Sequence, residues 1–344
     1  MRLLSKACLA VTLVLTTAAG CTDSENDAAP SPSPSSPPTS SGTPTSAPPS
    51  ASPSTEPPNP VSIPALIARE HTGTDLRLGD VRSRTDAYTQ YAVTYRANGL
   101  TISGIMNIPT GDGPFPALVL AHGYIDPDVY TTGRGLAREQ DLLARNGYIV
   151  LHTDYRNHAG SDDDPDNERS LRLGYTEDVI GAALAMRGSG RPEIDGDRIG
   201  LLGRSLGGGV VYNTLAVAPG VFDAAVAFAP VSARPEENID FYQEGQPVVA
   251  EIEEENGTPE ENPEFWREAS PLTYVDRVTE PLLVHHGTED VNALIEWSRE
   301  AVSVFEEAGK DVELLTYEGE AHTFYSQWPD SMEATMDFFE EHLA

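Results

Sequence analysis

The sequence has only two cysteines, Cys8 and Cys21. Everything after Cys21 therefore lacks disulfides, thiolate metal ligands and a cysteine nucleophile. Lysine is as scarce, with Lys6 and Lys310 alone, although arginine is common. Positive charge as a whole is short: 22 Lys and Arg stand against 54 Asp and Glu, for a formal net charge of -32. A surface of that sign repels nucleic acid and anionic lipid, so nucleic acid is not an expected partner. The main reading of the charge is solubility. Long apolar runs are missing too; the one from Ala7 to Ala19 is too short to cross a bilayer as a helix. There is no H-E-x-x-H zinc motif, no phosphate-cradling G-x-x-x-x-G-K-[ST] and no dinucleotide-binding G-x-G-x-x-G. "SDDDPDNER", from Ser161 to Arg169, spaces its carboxylates like a calcium loop but lacks the glycine and glutamate such a loop needs. Neither a metal nor an organic cofactor is expected, so side chains alone must carry any chemistry.

What is present divides into three parts. The chain opens with "MRLLSKACLAVTLVLTTAAGC": Arg2 and Lys6, an apolar run, then small residues before Cys21. This predicts a signal peptide over residues 1–20 and hence export. The cysteine after "AAG" resembles a bacterial lipobox, which implies lipid attachment at Cys21 and membrane anchoring on the outer face of the cell. Ala18 departs from the usual Leu, Val or Ile, and an ordinary signal peptide cut nearby is the alternative. Residues 22–60 are almost entirely Ser, Pro, Thr, Ala and Gly. Such a segment cannot bury a core. Extended, it would reach on the order of 120 Å, which suits a tether or a glycosylated stalk. Residues 61–344 are long enough for one α/β sheet enzyme with a large core.

The third part alternates regularly. "TQYAVTYRANG" and "LTISGIMNIPT" read as an antiparallel hairpin. The buried-strand run "FPALVLAHGY" follows, and strand-like and helix-like segments then take turns to the closing helix "SMEATMDFFEEHLA". This predicts an α/β fold: a mostly parallel central sheet with helices on both faces. Active residues are then expected at the carboxyl ends of the strands. Residues 232–270 break the rhythm with a long acidic insertion carrying Phe241, Tyr242, Phe265 and Trp266. It is either a lid or a solvated excursion.

The strand-like run "RIGLLGRS" and the helix-like run "LGGGVVYNTLAVA" meet at Gly203-Arg204-Ser205-Leu206-Gly207. A G-x-S-x-G pattern between strand and helix forces a sharp turn that holds the serine hydroxyl clear of the chain. A serine needs a base to take its proton. His71 precedes the sheet, His152 lies within a strand and His342 sits at the end of the chain. His322, in "YEGEAHTFY", follows the last predicted strand and is the expected base. The orienting acid should follow the strand before it, where "HHGTEDVN" offers Glu289 and Asp290. The order nucleophile, acid, base is that of one known hydrolase class.

These stretches, with "DYRNHAGSD", resemble the α/β-hydrolase superfamily, and within it the catalytic domain of the prolyl oligopeptidase family and its esterase-like relatives. The resemblance runs from about Tyr91 to the end of the chain. It implies that Asp290 rather than Glu289 is the acid, giving Ser205, Asp290 and His322 as a catalytic triad. It also implies an oxyanion hole made by the backbone N–H groups of Leu206 and Tyr124. His122 is read as bracing its loop, and Asp154 and Arg156 as structural. In "DYRNHAGSD", Asn157 and Ala159 replace the usual glycines. The chain before the hydrolase segment leaves no room for the β-propeller of the oligopeptidases. The expectation is an exported serine hydrolase acting on small-molecule esters. Small peptides or aminoacyl compounds are the alternative, and a non-catalytic cell-surface binding module is a distant third.

Overall fold

A computed structural model describes residues 57–344. The signal peptide, Cys21 and nearly all of the 21–60 tether lie outside the described residues. The described chain runs α1 (Ile63–Ala68), β1 (Gly73–Arg84), β2 (Tyr88–Ala97), β3 (Leu100–Pro109) and β4 (Phe115–Ala121). It continues with α2 (Ala137–Arg145), β5 (Ile149–Thr153), α3 (Gly174–Arg187), β6 (Ile194–Arg204), α4 (Leu206–Val217) and β7 (Ala224–Phe228). Then follow α5 (Pro235–Tyr242), α6 (Pro247–Asn256), α7 (Pro263–Ala269), β8 (Leu282–Gly287), α8 (Ile295–Glu307), β9 (Val312–Tyr317) and α9 (Trp328–His342).

The strands form one sheet in the order β1-β2-β3-β5-β4-β6-β7-β8-β9. β1, β2, β3 and β5 pair antiparallel, and every pair from β5 to β9 is parallel. The predicted hairpin is β2–β3. In β4 the two-residue period sorts side chains cleanly. Ala117, Val119 and Ala121 join one core with residues of α3, α4 and α8. Leu118 and Leu120 join a second core with residues of α2 and α9. Both faces of the central parallel strands are thus covered, which is why β4, β5, β7 and β8 read as apolar runs. The chain leaves β4 toward β5 and later returns to pair β6 on β4's other side. That reversal creates a crevice at the carboxyl ends of β4 and β6, where an open α/β sheet binds ligands.

Outside the insertion, β1 and α1 have no counterpart in the sequence pattern. β1 is an edge strand, mostly exposed and broken by register shifts, so it has no buried face to write an alternation into the sequence. α1 is a short helix whose Ile63 and Leu66 bury against α3 and α4. The 232–270 insertion is not a loose acidic excursion. Its three helices share a small core of Ile239, Ile252, Phe265 and Trp266. Phe241 stacks edge-on against Trp297 of α8, and the Tyr242 hydroxyl donates to Asn292 O at 2.5 Å, tying the insertion to α8 and to the loop before it.

Candidate active site

β6 ends at Arg204 and α4 begins at Leu206, so a single residue, Ser205, turns the chain. Ser205 has φ 58° and ψ -120°, a strained conformation for a residue with a side chain. The neighbours hold it there. Its N–H donates to Phe228 O at 2.9 Å, and its carbonyl accepts from Gly209 N and Val231 N, both at 3.1 Å. The flanking glycine at 207 is sterically required. A Cβ there would overlap the carbonyl of Ala121, so only glycine lets α4 begin this close to the end of β4. Gly123 approaches from the other side, where a Cβ would press on Ser205 Cβ at 3.1 Å. The Ser205 hydroxyl makes no hydrogen bond among the described residues, and it sits at the positive end of α4. The backbone N–H groups of Leu206, the next residue, and of Tyr124, which follows Gly123, find no acceptor among the described residues.

Asp290 and His322 are brought together. Asp290 follows β8 and His322 follows β9, so both lie at the carboxyl edge that also carries Ser205. His322 Nδ1 is 2.8 Å from Asp290 Oδ2. Asp290 Oδ1 accepts from Asn292 N at 2.8 Å and Ala293 N at 3.0 Å. Burial pushes the Asp290 carboxyl up, but hydrogen bonds from His286, His322 and Ala293 N outweigh it and hold the group well below the usual carboxylate range. The carboxylate is therefore ionised at neutral pH. Glu289, the other candidate acid, is exposed and has no such partner.

Other groups steady this edge. His286 Nε2 donates to Ala293 O at 3.0 Å and lies 3.4 Å from Asp290 Oδ2, while its Nδ1 is 2.7 Å from Ser298 Oγ. Glu320 accepts from Tyr325 N at 2.7 Å and Gln327 N at 2.6 Å and so fixes the loop that carries His322. Sequence reasoning missed both; the double histidine of "HHGTED" was the only available signal for His286. Arg204, inside the turn motif, pairs with buried Glu139 of α2 at 2.5 Å, and Trp328 Nε1 donates to the same oxygen at 2.8 Å.

His122 is buried between Tyr130 and Tyr155, with ring centroids 4.8 and 4.4 Å away. Burial, with nearby His152, pushes its pKa down to about 3. Its Nδ1 lies 2.6 Å from Gly123 O, a contact that braces the Gly123–Tyr124 loop. Asp154 accepts from Ser103 Oγ at 2.6 Å, Tyr130 OH at 2.8 Å and Gly133 N at 2.9 Å. Arg156 lies buried among Asp178, Glu177 and Asp164. The carboxylate of Asp164, in the calcium-like stretch, is thus spent on an arginine.

A cavity of about 260 Å³ opens beside Ser205 and Leu206. α4 floors it, α5 roofs it, and the loop at 168–173 and Tyr124 close one side. Arg172 stacks over the exposed Tyr124 ring at 4.7 Å. An activated serine here could attack a carbonyl whose acyl group rests in the cavity.

The chain is similar to several known proteins. The human acyl-coenzyme A thioesterase 1 is 31% identical over 126 residues, covering 36% of this chain and 26% of the thioesterase, so the chain spans about a quarter of that relative's length. The uncharacterized peptidase YtmA of Bacillus subtilis (strain 168) is 26% identical over 237 residues, covering 68% of this chain and 86% of that protein. The structure of acetyl xylan esterase 1 from Thermoanaerobacterium sp. JW/SL YS485 is similar with a TM-score of 0.60 at 18% identity, over 79% of this chain and 89% of that one. A family model described as the prolyl oligopeptidase family matches residues 135–344, which include the turn at Ser205 and the loops of Asp290 and His322. The chain therefore belongs to the prolyl oligopeptidase family and is a serine hydrolase of α/β-hydrolase fold.

Proposed function

We propose that this hydrolase cleaves small-molecule esters outside the cytoplasm, with Ser205 as nucleophile, His322 as base and Asp290 as its orienting acid. His322 Nε2 takes the proton of the Ser205 hydroxyl as Oγ bonds to the ester carbonyl carbon. The N–H groups of Leu206 and Tyr124 receive the negative charge that forms on the carbonyl oxygen. The tetrahedral adduct collapses, the C–O bond to the alcohol breaks, and His322 gives the leaving oxygen its proton. Water then enters, His322 takes one of its protons, and hydroxide displaces Ser205, which recovers its proton as the acid departs. The observation that carries this reading is the Asp290–His322 hydrogen bond at the same sheet edge as the strained Ser205 turn.

The ester assignment is supported by the mostly apolar cavity and by the relative named a thioesterase. The peptidase name of the Bacillus subtilis relative favours a second reading, hydrolysis of small peptides or aminoacyl amides. Turnover of p-nitrophenyl esters beside aminoacyl p-nitroanilides decides between them. Ester turnover that vanishes in Ser205→Ala supports the first reading, and anilide turnover without ester turnover replaces it with the second. Export and anchoring through a lipid on Cys21 belong to the same proposal and rest on the sequence of residues 1–60. Metabolic labelling with a fatty-acid analogue should mark the membrane-bound protein and not Cys21→Ser; equal labelling of both would remove the anchor.

A further inference from the structure

The cavity has a floor of defined length. Ser205, Leu206, Gly209, Val210 and Asn213 all line it, which is one face of α4 sampled at successive turns. Eight residues separate Ser205 from Asn213, so the floor runs about 12 Å along the helix axis. Gly209 sits midway, and a Cβ there would come 2.7 Å from Val231 Cγ2, so glycine lets the wall lie flat on the helix. Leu171, Leu173, Val231 and Ile239 complete apolar walls. A straight chain of tetrahedral carbons leaving Ser205 along this floor meets Asn213 after roughly six to eight carbons, allowing for the contact radius of the amide.

Asn213 is out of place on that face. Its amide makes no hydrogen bond among the described residues. It is partly buried and opens on the cavity. The other polar groups around the cavity are mostly engaged. Arg172 is bonded to Glu168 at 2.8 Å, Tyr242 to Asn292 O, and Gln246 Nε2 to Tyr242 O at 3.1 Å. Gln243, the Asn238 carbonyl and the Tyr124 hydroxyl are also open. An amide offers one acceptor and two donors and carries no charge. It can pair with a neutral hydroxyl or amide, and the two charged residues beside the cavity, Arg172 and Glu168, are already paired with each other.

We propose that the cavity binds a medium-length acyl chain with a neutral hydrogen-bonding group near its far end, and that Asn213 reads that group. The proposal rests on Ser205 being the nucleophile. It is tested with the full chain and p-nitrophenyl esters from acetate to hexadecanoate, together with the 8-hydroxy derivative of the octanoate. In the wild type kcat/KM should climb about fourfold per methylene up to hexanoate or octanoate and fall beyond. The 8-hydroxy ester should outperform octanoate about fivefold. Asn213→Leu should invert that preference while its thermal unfolding shows a folded protein. Should that variant not fold, Asn213→Gln serves, because its longer side chain should move the optimum to shorter acyl groups. A wild type with no length optimum, or variants with the wild-type preference and optimum, would overturn the proposal. Acetate turnover in the wild type that persists in Ser205→Ala would instead show that the nucleophile was misassigned.

Discussion

Replacing Asp290 by Asn tests the proton path through its geometry. Oδ1 accepts from two backbone donors, Asn292 N and Ala293 N, at 2.8 and 3.0 Å. Those N–H groups admit only the amide oxygen, so the new NH2 group must occupy the place of Oδ2. There it faces His322 Nδ1 at 2.8 Å and His286 Nε2 at 3.4 Å. An NH2 donates, so His322 must accept at Nδ1 and carry its proton on Nε2, the atom that has to receive the serine proton. The ring is held in place but in the wrong tautomer. The expected loss is about 10,000-fold in kcat, or about 5 kcal/mol of transition-state stabilisation, with little change in KM. Glu289→Gln, next door and exposed, should stay within about twofold of wild type because the side chain touches nothing in the site. Steady-state kinetics on a p-nitrophenyl ester at pH 7.5 reads both. An Asp290→Asn enzyme within about tenfold of wild type would refute the tautomer argument.

Two predictions concern stability. Glu139→Leu leaves the Arg204 guanidinium without its partner and should cost about 3–5 kcal/mol by urea unfolding; a loss below about 1 kcal/mol would mean the pair is not structural. Burial pushes the pKa of His122 to about 3, of His152 to about 4 and of His285 to about 3, all from an ordinary 6.5. The folded chain therefore cannot take up protons that the unfolded chain binds below pH 6.5, and stability must fall as pH drops through that value. At pH 5.5 the three histidines should together cost about 4 kcal/mol relative to pH 7.5. Urea midpoints that coincide at the two pH values would contradict that burial.

The parts of this fold that were readable are those whose sequence is shaped by two-sided burial. β4, β5, β7, β8 and the second half of β6 are apolar runs because helices cover both faces, and the Ser205 turn is readable because only glycine tolerates its close contacts. The alternation of β2 and β3 made their hairpin plain. β1 stayed hidden because an exposed edge strand has no face to pattern. The helices of the insertion stayed hidden because their core is Ile239, Ile252, Phe265 and Trp266, thinly spread among acids. α3 was read from Leu171, whereas it begins at Gly174, because Leu171 and Arg172 adopt positive φ of 53° and 56°. Pairings across long stretches of chain, such as Arg204 with Glu139, leave no local trace at all. The choice between Glu289 and Asp290 needed a family resemblance in the sequence, and in the structure it needs only burial and one hydrogen bond.

The most direct test of the central claim is to treat the full chain with a fluorophosphonate and map the adduct by mass spectrometry. One adduct per chain at Ser205, absent from folded Ser205→Ala and formed far more slowly by Asp290→Asn, is the predicted result. A folded wild type that takes no label, or takes it at another residue, would contradict Ser205 as the nucleophile.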